Sequence, residues 1–147
     1  MSIFVGGVGR VKQIIEGLAA DAFLPGTLLT RTVVSGNDTL ATSTDADTVF
    51  GNQFLIADDQ DQTKGGGKDK AVTVGDNVKA INVLPGDLVE LRIAATQNIT
   101  GKGVALSSNG DGTFKIAATD GTDHVFAVSE EIVNVTTAGT LVLARAI

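Results

Sequence analysis

The clearest fold signal in the chain is a tight turn followed by an alternating strand, LPGDLVELRI at residues 84–93. Pro85 fixes its φ at about −65° and Gly86 accepts a positive φ, which is the combination that a type II turn requires. Beyond the turn, apolar and polar residues alternate from Leu88 to Ile93, as in a half-buried strand. This stretch therefore predicts a corner that opens a β-strand.

The same arrangement recurs along the chain. The hexad LPGTLL at residues 24–29 repeats the turn and opens another alternating segment. Further alternating segments occupy residues 28–33, 71–74, 113–117, 133–136 and 141–145, with turn signals at residues 35–38, 74–77, 109–112, 119–122 and 138–139. A spacing of about ten residues between strands is typical of a sandwich or barrel. The two hexads are consistent either with an internal duplication or with the same type of turn having arisen independently at two places.

Residues 11–22 fit two kinds of secondary structure. Apolar residues recur at helical spacing from Val11 to Ala22, which indicates a short amphipathic helix. Gly17 disfavours a helix, and the residues from Val11 to Ile15 also tolerate a strand alternation. We expect a strand here, with the helix as the alternative.

Composition limits the class of protein. With 147 residues, 43% of them hydrophobic and 19% charged, the chain predicts a single soluble domain over residues 10–147. The absence of cysteine excludes disulfides, thiolate zinc sites and cysteine nucleophiles. A net charge of −6 lacks the basic surface of a nucleic-acid-binding protein. We find no secretory signal and no apolar run of about 20 residues, so we expect synthesis in the cytoplasm and no membrane partner.

Two segments depart from the strand pattern. Residues 58–70, DDQDQTKGGGKDK, contain no apolar side chain and three consecutive glycines, so they predict an exposed loop. Residues 1–9 are also rich in glycine, yet they include Ile3, Phe4, Val5 and Val8. We interpret them as a flexible N-terminal arm whose apolar side chains need a partner.

Sites for phosphate or metal are not supported by their motifs. The run KGGGK at residues 64–68 lacks the spacing of a phosphate loop, and Asp69 stands where Ser or Thr would bind magnesium. The stretch NGDGT at residues 109–113 shares the kernel of a calcium loop, but Ala118 replaces the required glutamate. We expect this stretch to be a tight hairpin and predict no metal and no cofactor.

Catalytic residues are equally hard to find. His124 is the only histidine, and Asp123 beside it would point to the opposite face of a strand. The carboxylates do not converge on a pocket that the pattern identifies. We therefore predict that the protein is not an enzyme.

A succession of short motifs resembles one family of proteins. In order, they are GRVKQIIEGLAA at residues 9–20, LPGTL at 24–28, FLIADD at 54–59, VGDNV at 74–78, LPGDLV at 84–89, ITGKG at 99–103, NGDGT at 109–113 and FAVSE at 126–130. Taken in this order, they resemble the small decoration, or cement, proteins of tailed-bacteriophage heads. The glycine run at residues 65–67 departs from that pattern, where a more structured segment with an aromatic residue is expected.

The resemblance implies a structural role in the virion. It implies an all-β, β-barrel-like (β-tulip-like) module, often a trimer or dimer, that binds the major capsid protein on the outer surface of the shell and stabilises it. It implies no cofactor and no catalysis. On this hypothesis the arm would order against the capsid or a neighbouring copy by strand addition. The candidate partner-binding residues are Ile3, Phe4, Val5, Val8 and Arg10.

Two alternatives remain at this stage. One is another virion structural subunit of similar architecture, either the base of a head fibre or a tail-tube protein. The other is a carbohydrate-binding β-module, which is disfavoured because sugar platforms rely on exposed Trp and Tyr and the chain has neither.

Overall fold

The computed structural model describes residues 3–6, 13–44, 54–59, 67–119 and 121–147. Over these ranges the chain is all-β, as predicted from the alternating segments. The strands are β1 (Phe4–Gly6), β2 (Gln13–Ala19), β3 (Leu28–Val34), β4 (Asn37–Thr42), β5 (Leu55–Ala57), β6 (Asn77–Asn82), β7 (Leu88–Ile93), β8 (Gln97–Ile99), β9 (Ala105–Ser108), β10 (Phe114–Ile116), β11 (Ala127–Ser129), β12 (Val133–Val135) and β13 (Thr140–Ala146). A 3₁₀ turn covers Gly67–Asp69. Among the described residues, no helix has the length and apolar character needed to span a membrane.

Five strands form a closed barrel, which we call the first barrel, in the order β2-β4-β3-β5-β6. Strand β2 closes it by pairing antiparallel with β6 and parallel with β4. Its interior is small and mostly aliphatic: Ala19, Phe23, Leu29, Leu40, Leu55, Ala57, Val72, Val78 and Ala80.

A second ring, the second barrel, is built from later strands. Its order is β7-β10-β9-β11-β13, and the pairing of β13 with β7 brings the ring back to its start. The contact between β7 and β10 is parallel and rests on the single residue pair Ile93 and Phe114. Strand β1 is added to β7, while β8 and β12 form a separate two-stranded ribbon.

The two barrels have separate hydrophobic clusters, and three strands of the first barrel contribute side chains to both. In β5, Leu55 and Ala57 point into the first barrel, whereas Ile56 packs with the core of the second. Leu28 of β3 and Ile81 of β6 join the same second core. The fold is therefore two barrels pressed together, with β3, β5 and β6 between the two cores.

The hairpin that joins β9 and β10 also contacts the first barrel. Leu28 donates its backbone N–H to the carbonyl oxygen of Gly112 over 2.8 Å. Gly112 has a φ of +86°, and a Cβ there would lie 2.5 Å from the Thr42 Cγ2 atom and 2.6 Å from the Thr27 Cγ2 atom. Only glycine fits this junction without displacing the two threonine side chains.

Both predicted Pro-Gly corners are type II turns. Gly26 and Gly86 have φ values of +90° and +93°. The N–H of Thr27 donates to the carbonyl of Leu24, and that of Asp87 to Leu84, which closes each turn. Each corner opens a strand, β3 in one barrel and β7 in the other.

The ambiguous segment contains a strand, as expected, and β2 covers Gln13–Ala19. Gly17 explains why a strand fits here. A Cβ at Gly17 would lie 2.9 Å from the carbonyl oxygen of Asp38 and 3.2 Å from the Leu40 side chain, so the glycine lets β4 approach closely. Residues 11 and 12 lie outside the described part.

Two sequence-based predictions need correction. Residues 71–74 do not form a strand. They lead into a turn in which the N–H of Thr73 donates to the Asp76 carboxylate over 3.1 Å, and β6 begins only at Asn77. The predicted exposed loop 58–70 needs correction at two residues, because Asp58 is buried and Lys68 pairs with Glu90. Asp69 and Lys70 are exposed, as expected. Residues 60–66 of that loop lie outside the described part.

Candidate interaction surfaces

The predicted N-terminal arm contains a strand, β1, which covers three of its four described residues. Ile3 is completely buried, and Phe4 is half-buried against the same core. The N–H of Glu90 donates to the carbonyl oxygen of Ile3 over 2.9 Å. The expectation of a free arm is therefore corrected for Ile3 and Phe4, whose side chains are taken up by the chain's own core beside β7.

Val5 is in a different position because of a β-bulge. Phe4 pairs with Val89 and Gly6 with the adjacent Leu88, so Val5 is an extra residue on its strand. Its side chain is 53% exposed. Val8 and Arg10, the other two predicted anchors, lie outside the described residues. Val5 is thus the one described anchor that the fold leaves largely open to a partner.

The tip of the hairpin β3–β4, residues 31–38, carries two adjacent exposed apolar side chains. Val33 and Val34 are 68% and 56% exposed. Ser35 and Gly36, with φ values of 50° and 80°, make the two-residue loop that suits the twist of a β-hairpin. Because Val33 and Val34 are consecutive, they point to opposite faces of the ribbon.

An ion pair crosses the base of this hairpin tip. Arg31 donates from Nε and Nη2 to the two carboxylate oxygens of Asp38, over 3.1 and 2.9 Å. Hydrogen bonding to Asp38, followed by charge attraction, raises the pKa of Arg31. This fork-to-fork geometry fixes the two strands relative to each other. Two adjacent valines before the Ser35-Gly36 turn break the strand alternation, so at least one of them must face solvent. This signal in the sequence indicates the exposed tip, which was not among the predicted sites.

The outer face of β2 carries two further exposed apolar side chains, one on each side of Glu16. On β2, Ile14 and Leu18 are 38% and 41% exposed. Leu18 pairs with Thr39 of β4, which in turn pairs with Thr32 of β3. Side chains at directly paired positions share a face of a sheet, so this row leads from β2 to the exposed hairpin.

An apolar groove of about 450 Å³ lies where β6, the start of β11 and the end of β13 meet. Its walls include Phe54, Leu84, Pro85, Phe126 and Ile147. The Phe54 and Phe126 rings meet edge to face with centroids 5.1 Å apart. The groove offers shape and apolar area, and its lining includes one titratable side chain, His124.

The side chains of His124 and Asp123 contact different residues. The His124 ring packs edge-on against Phe126, with a centroid separation of 4.6 Å. The Asp123 carboxylate accepts the N–H of Ala118 over 2.8 Å and lies 3.6 Å from the Lys115 ammonium. The Asp123 carboxylate therefore fastens the loop before β11.

The stretch NGDGT forms the predicted hairpin turn between β9 and β10. The Asp111 carboxylate accepts the N–H of Thr113 over 3.0 Å, the Thr113 hydroxyl, and the Asn109 amide over 3.2 Å. Burial acts to raise the pKa of Asp111, but these hydrogen bonds outweigh it and lower the pKa. The carboxylate thus closes the turn. Within the described ranges, no group of three or more His, Asp or Glu side chains is arranged to hold a metal ion.

A buried arginine connects elements around the start of the second barrel. Arg92 donates from Nε to the Pro25 carbonyl over 2.8 Å, from Nη1 to the Gly139 carbonyl over 2.7 Å, and from Nη2 to the Lys68 carbonyl. Burial lowers the pKa of Arg92, and Asp69, 3.6 Å away, acts in the opposite direction. Arg92 therefore holds one Pro-Gly corner, the 3₁₀ turn and the turn before β13 against β7.

Comparison with known proteins finds a similar fold among solved structures. No family model matches the sequence, and no curated protein matches it either. Among solved structures, the chain is similar to the N base of head fibre gp8.5 of bacteriophage phi29, with a TM-score of 0.60 and 16% sequence identity. The match covers 93% of this chain and 95% of that chain. At this identity the likeness establishes a shared fold.

Proposed function

We propose that this chain is a structural protein of a bacteriophage head, and that it decorates the outer surface of the capsid and stabilises it. The observation that carries the proposal is the fold shared with a phage head fibre base over 93% of the chain. The order of motifs that resembles phage decoration proteins supports the same role from the sequence.

The hairpin tip at residues 31–38 is the surface that we assign to the capsid contact. Its two valines are exposed, and the Ser35-Gly36 loop and the Arg31–Asp38 ion pair hold the ribbon in one shape. A surface that is already ordered loses little conformational entropy on binding. Burying a valine side chain gains about 1.5–3 kcal/mol, so single contacts are modest. A protein that bridges two or more capsid subunits would combine several such contacts, and this multivalency would raise its overall affinity.

Charge supports the outer rather than the inner face of the shell. The chain carries a net charge of −6. An acidic protein is repelled by packaged DNA, whereas the exterior imposes no such repulsion. The predicted contact with the major capsid protein would therefore form from outside.

The base of a head fibre is the second candidate function. It is favoured by the same structural likeness, since the similar solved structure is a head fibre base. The two functions differ in their expected effect on the strength of the capsid shell. A decoration protein reinforces the lattice, whereas a fibre base holds a projecting appendage and leaves the strength of the lattice unchanged.

Heads assembled by a phage strain that lacks this coding frame test the proposal. Purified protein should bind these heads to saturation in a sedimentation assay and raise the temperature at which they release DNA. Saturable binding without a rise in that temperature would favour the fibre base. Absence of binding would overturn both functions.

The contact surface is tested in the same assay. The double substitution Val33→Asp and Val34→Asp should weaken binding by tenfold or more and leave the circular dichroism spectrum unchanged. Val74→Asp is the matched control, because Val74 is equally exposed at 62% but lies on a different turn. Equal loss of binding in both variants would contradict the role of the hairpin tip.

A further inference from the structure

The second barrel closes without β1. All five of its strands pair with each other in the ring β7-β10-β9-β11-β13, and β1 pairs with β7 alone. Removing β1 would therefore leave every pairing of the ring in place. Strand β1 is an addition to a completed barrel.

Strand β1 nevertheless fills a specific site. Ile3 has no exposed surface and belongs to the same buried cluster as Val89 and Leu91. The N–H of Glu90 donates to the carbonyl of Ile3. Without β1, this edge of β7 would present free backbone groups next to a hole of the size of an isoleucine side chain, which is how a strand-acceptor site is built.

The attachment of β1 is short. Two residue pairs connect it to β7, Phe4 with Val89 and Gly6 with Leu88, and the bulge at Val5 separates them. The contacts that hold β1 in its own chain are the ones that an identical strand from another chain would make. Exchange of an identical element between copies leaves those contacts unchanged and alters only the connection.

We propose that β7 accepts β1 of a second copy of this chain, so that two or more copies exchange residues 3–6. The occupant is identified by the structure itself, because Ile3-Phe4-Val5-Gly6 is the segment that fills the site. The inference rests on the closed ring and the buried Ile3, and it stands whether or not the protein binds a capsid.

A disulfide trap tests the exchange directly, since the chain contains no cysteine. Gly6 and Leu88 lie opposite each other on the paired strands, and a Cβ at Gly6 meets nothing within 4 Å. Directly paired positions have the Cα separation that a disulfide requires. Gly6→Cys and Leu88→Cys chains should be mixed while unfolded, refolded together at high concentration and oxidised.

Exchange predicts disulfide-linked mixed dimers on a non-reducing denaturing gel, several-fold above the level for Gly6→Cys mixed with Val74→Cys. The Val74 variant measures random collision, because Val74 is exposed and outside the site. The proposal is overturned if mixed dimers stay at the collision level while the double variant Gly6→Cys, Leu88→Cys closes entirely within single chains.

A second measurement uses the unsubstituted protein and does not depend on cysteine variants folding. Carbon-13-labelled and unlabelled chains are refolded together, and isotope-filtered nuclear Overhauser contacts are recorded from the Ile3 methyl groups. Contacts between Ile3 of one chain and Val89 or Leu91 of another support exchange. Contacts confined to single chains contradict it. An extended capsid-protein peptide that displaces β1 while no mixed dimers form would also overturn the assignment to a second copy.

Discussion

The two barrels have the same number of strands but differ in how they are filled. The buried cluster of the second barrel contains two phenylalanines and many large aliphatic side chains, whereas three of the nine buried members of the first barrel's cluster are alanine. Three side chains of the first barrel also pack in the second core: Leu28, Ile56 and Ile81. We infer that the second barrel is the stable base of the molecule and that the first barrel depends on it for much of its burial.

This difference has a counterpart at the surface. The first barrel carries the exposed hairpin tip at residues 31–38, while the second accepts β1 and holds its anchor Ile3. Elements with few buried contacts open most easily in native proteins. The surface assigned to the capsid therefore lies on the barrel with the smaller buried cluster. Substitutions in each barrel test this division.

Removing a large side chain from the second core should have the largest effect. Phe114 is fully buried and packs edge-on against Phe126 with centroids 5.8 Å apart. Phe114→Ala should lower the free energy of unfolding by about 3–5 kcal/mol through lost burial and a cavity. Leu40→Ala in the first barrel should cost less, about 2–3 kcal/mol, because it removes a smaller buried side chain than Phe114→Ala does. Urea denaturation measures both, and a larger loss for Leu40→Ala would reverse the assignment of the stable base.

A substitution at the contact between the two barrels should have the next largest effect on the free energy of unfolding. Gly112→Ala places a Cβ 2.5 Å from Thr42 in the first barrel and also strains a φ of +86°. We expect a loss of about 2–4 kcal/mol, since the strain of about 1–2 kcal/mol is joined by an overlap. Gly103→Ala is the matched control, because its φ is +84° and its Cβ would meet nothing within 4 Å. Equal losses in thermal denaturation would show that the junction tolerates displacement.

Replacing the buried arginine should weaken the start of the second barrel. Arg92→Lys keeps the charge but loses the fork that reaches three backbone carbonyls, so we expect a loss of about 1–3 kcal/mol. Arg31→Lys alters an exposed ion pair of the first barrel and should produce no measurable change in stability. Chemical denaturation of the two variants compares them, and similar midpoints would contradict the clamp role of Arg92.

We expect the smallest effect in the hairpin between β9 and β10, on how the free energy of unfolding changes at acid pH. Hydrogen bonds from Thr113 and Asn109, acting against burial, lower the pKa of Asp111 in the folded state. A carboxyl group with a lowered folded pKa stabilises the protein above its unfolded pKa of about 3.9, and this contribution is lost as pH falls through the folded pKa. Asp111→Asn should slightly lower stability at neutral pH and reduce the loss below about pH 4. Unchanged acid denaturation in this variant would show that the turn does not depend on the charge.

Sequence reasoning succeeded where one local rule decides the structure. The Pro-Gly pairs at residues 25–26 and 85–86 predicted type II turns because each residue type admits few backbone angles. Alternation identified β7 and β13, whose outer faces are partly exposed. It failed for β5, in which Leu55, Ile56 and Ala57 are all buried. A strand between two cores has no polar face, so its residues do not alternate.

The candidate site was harder to predict, because tertiary packing decides which apolar side chains stay exposed to a partner. Ile3 and Val5 look equivalent in sequence, yet one is buried beside β7 and the other is turned outward by a bulge. A single extra residue in the pairing decides this, and no local pattern in residues 3–6 encodes the register on β7. The exposure of Val33 and Val34 likewise depends on how far β3 and β4 extend beyond the barrel.

Imaging of heads tests the central claim most directly. Electron cryomicroscopy should compare heads from a strain lacking this coding frame before and after addition of the purified protein. The proposed role predicts new density of two-barrel shape at regular lattice positions on the outer surface of the shell, with residues 31–38 directed at the capsid subunits. Absence of new density, density on the inner surface, or assembly of the free protein into tubes would contradict it.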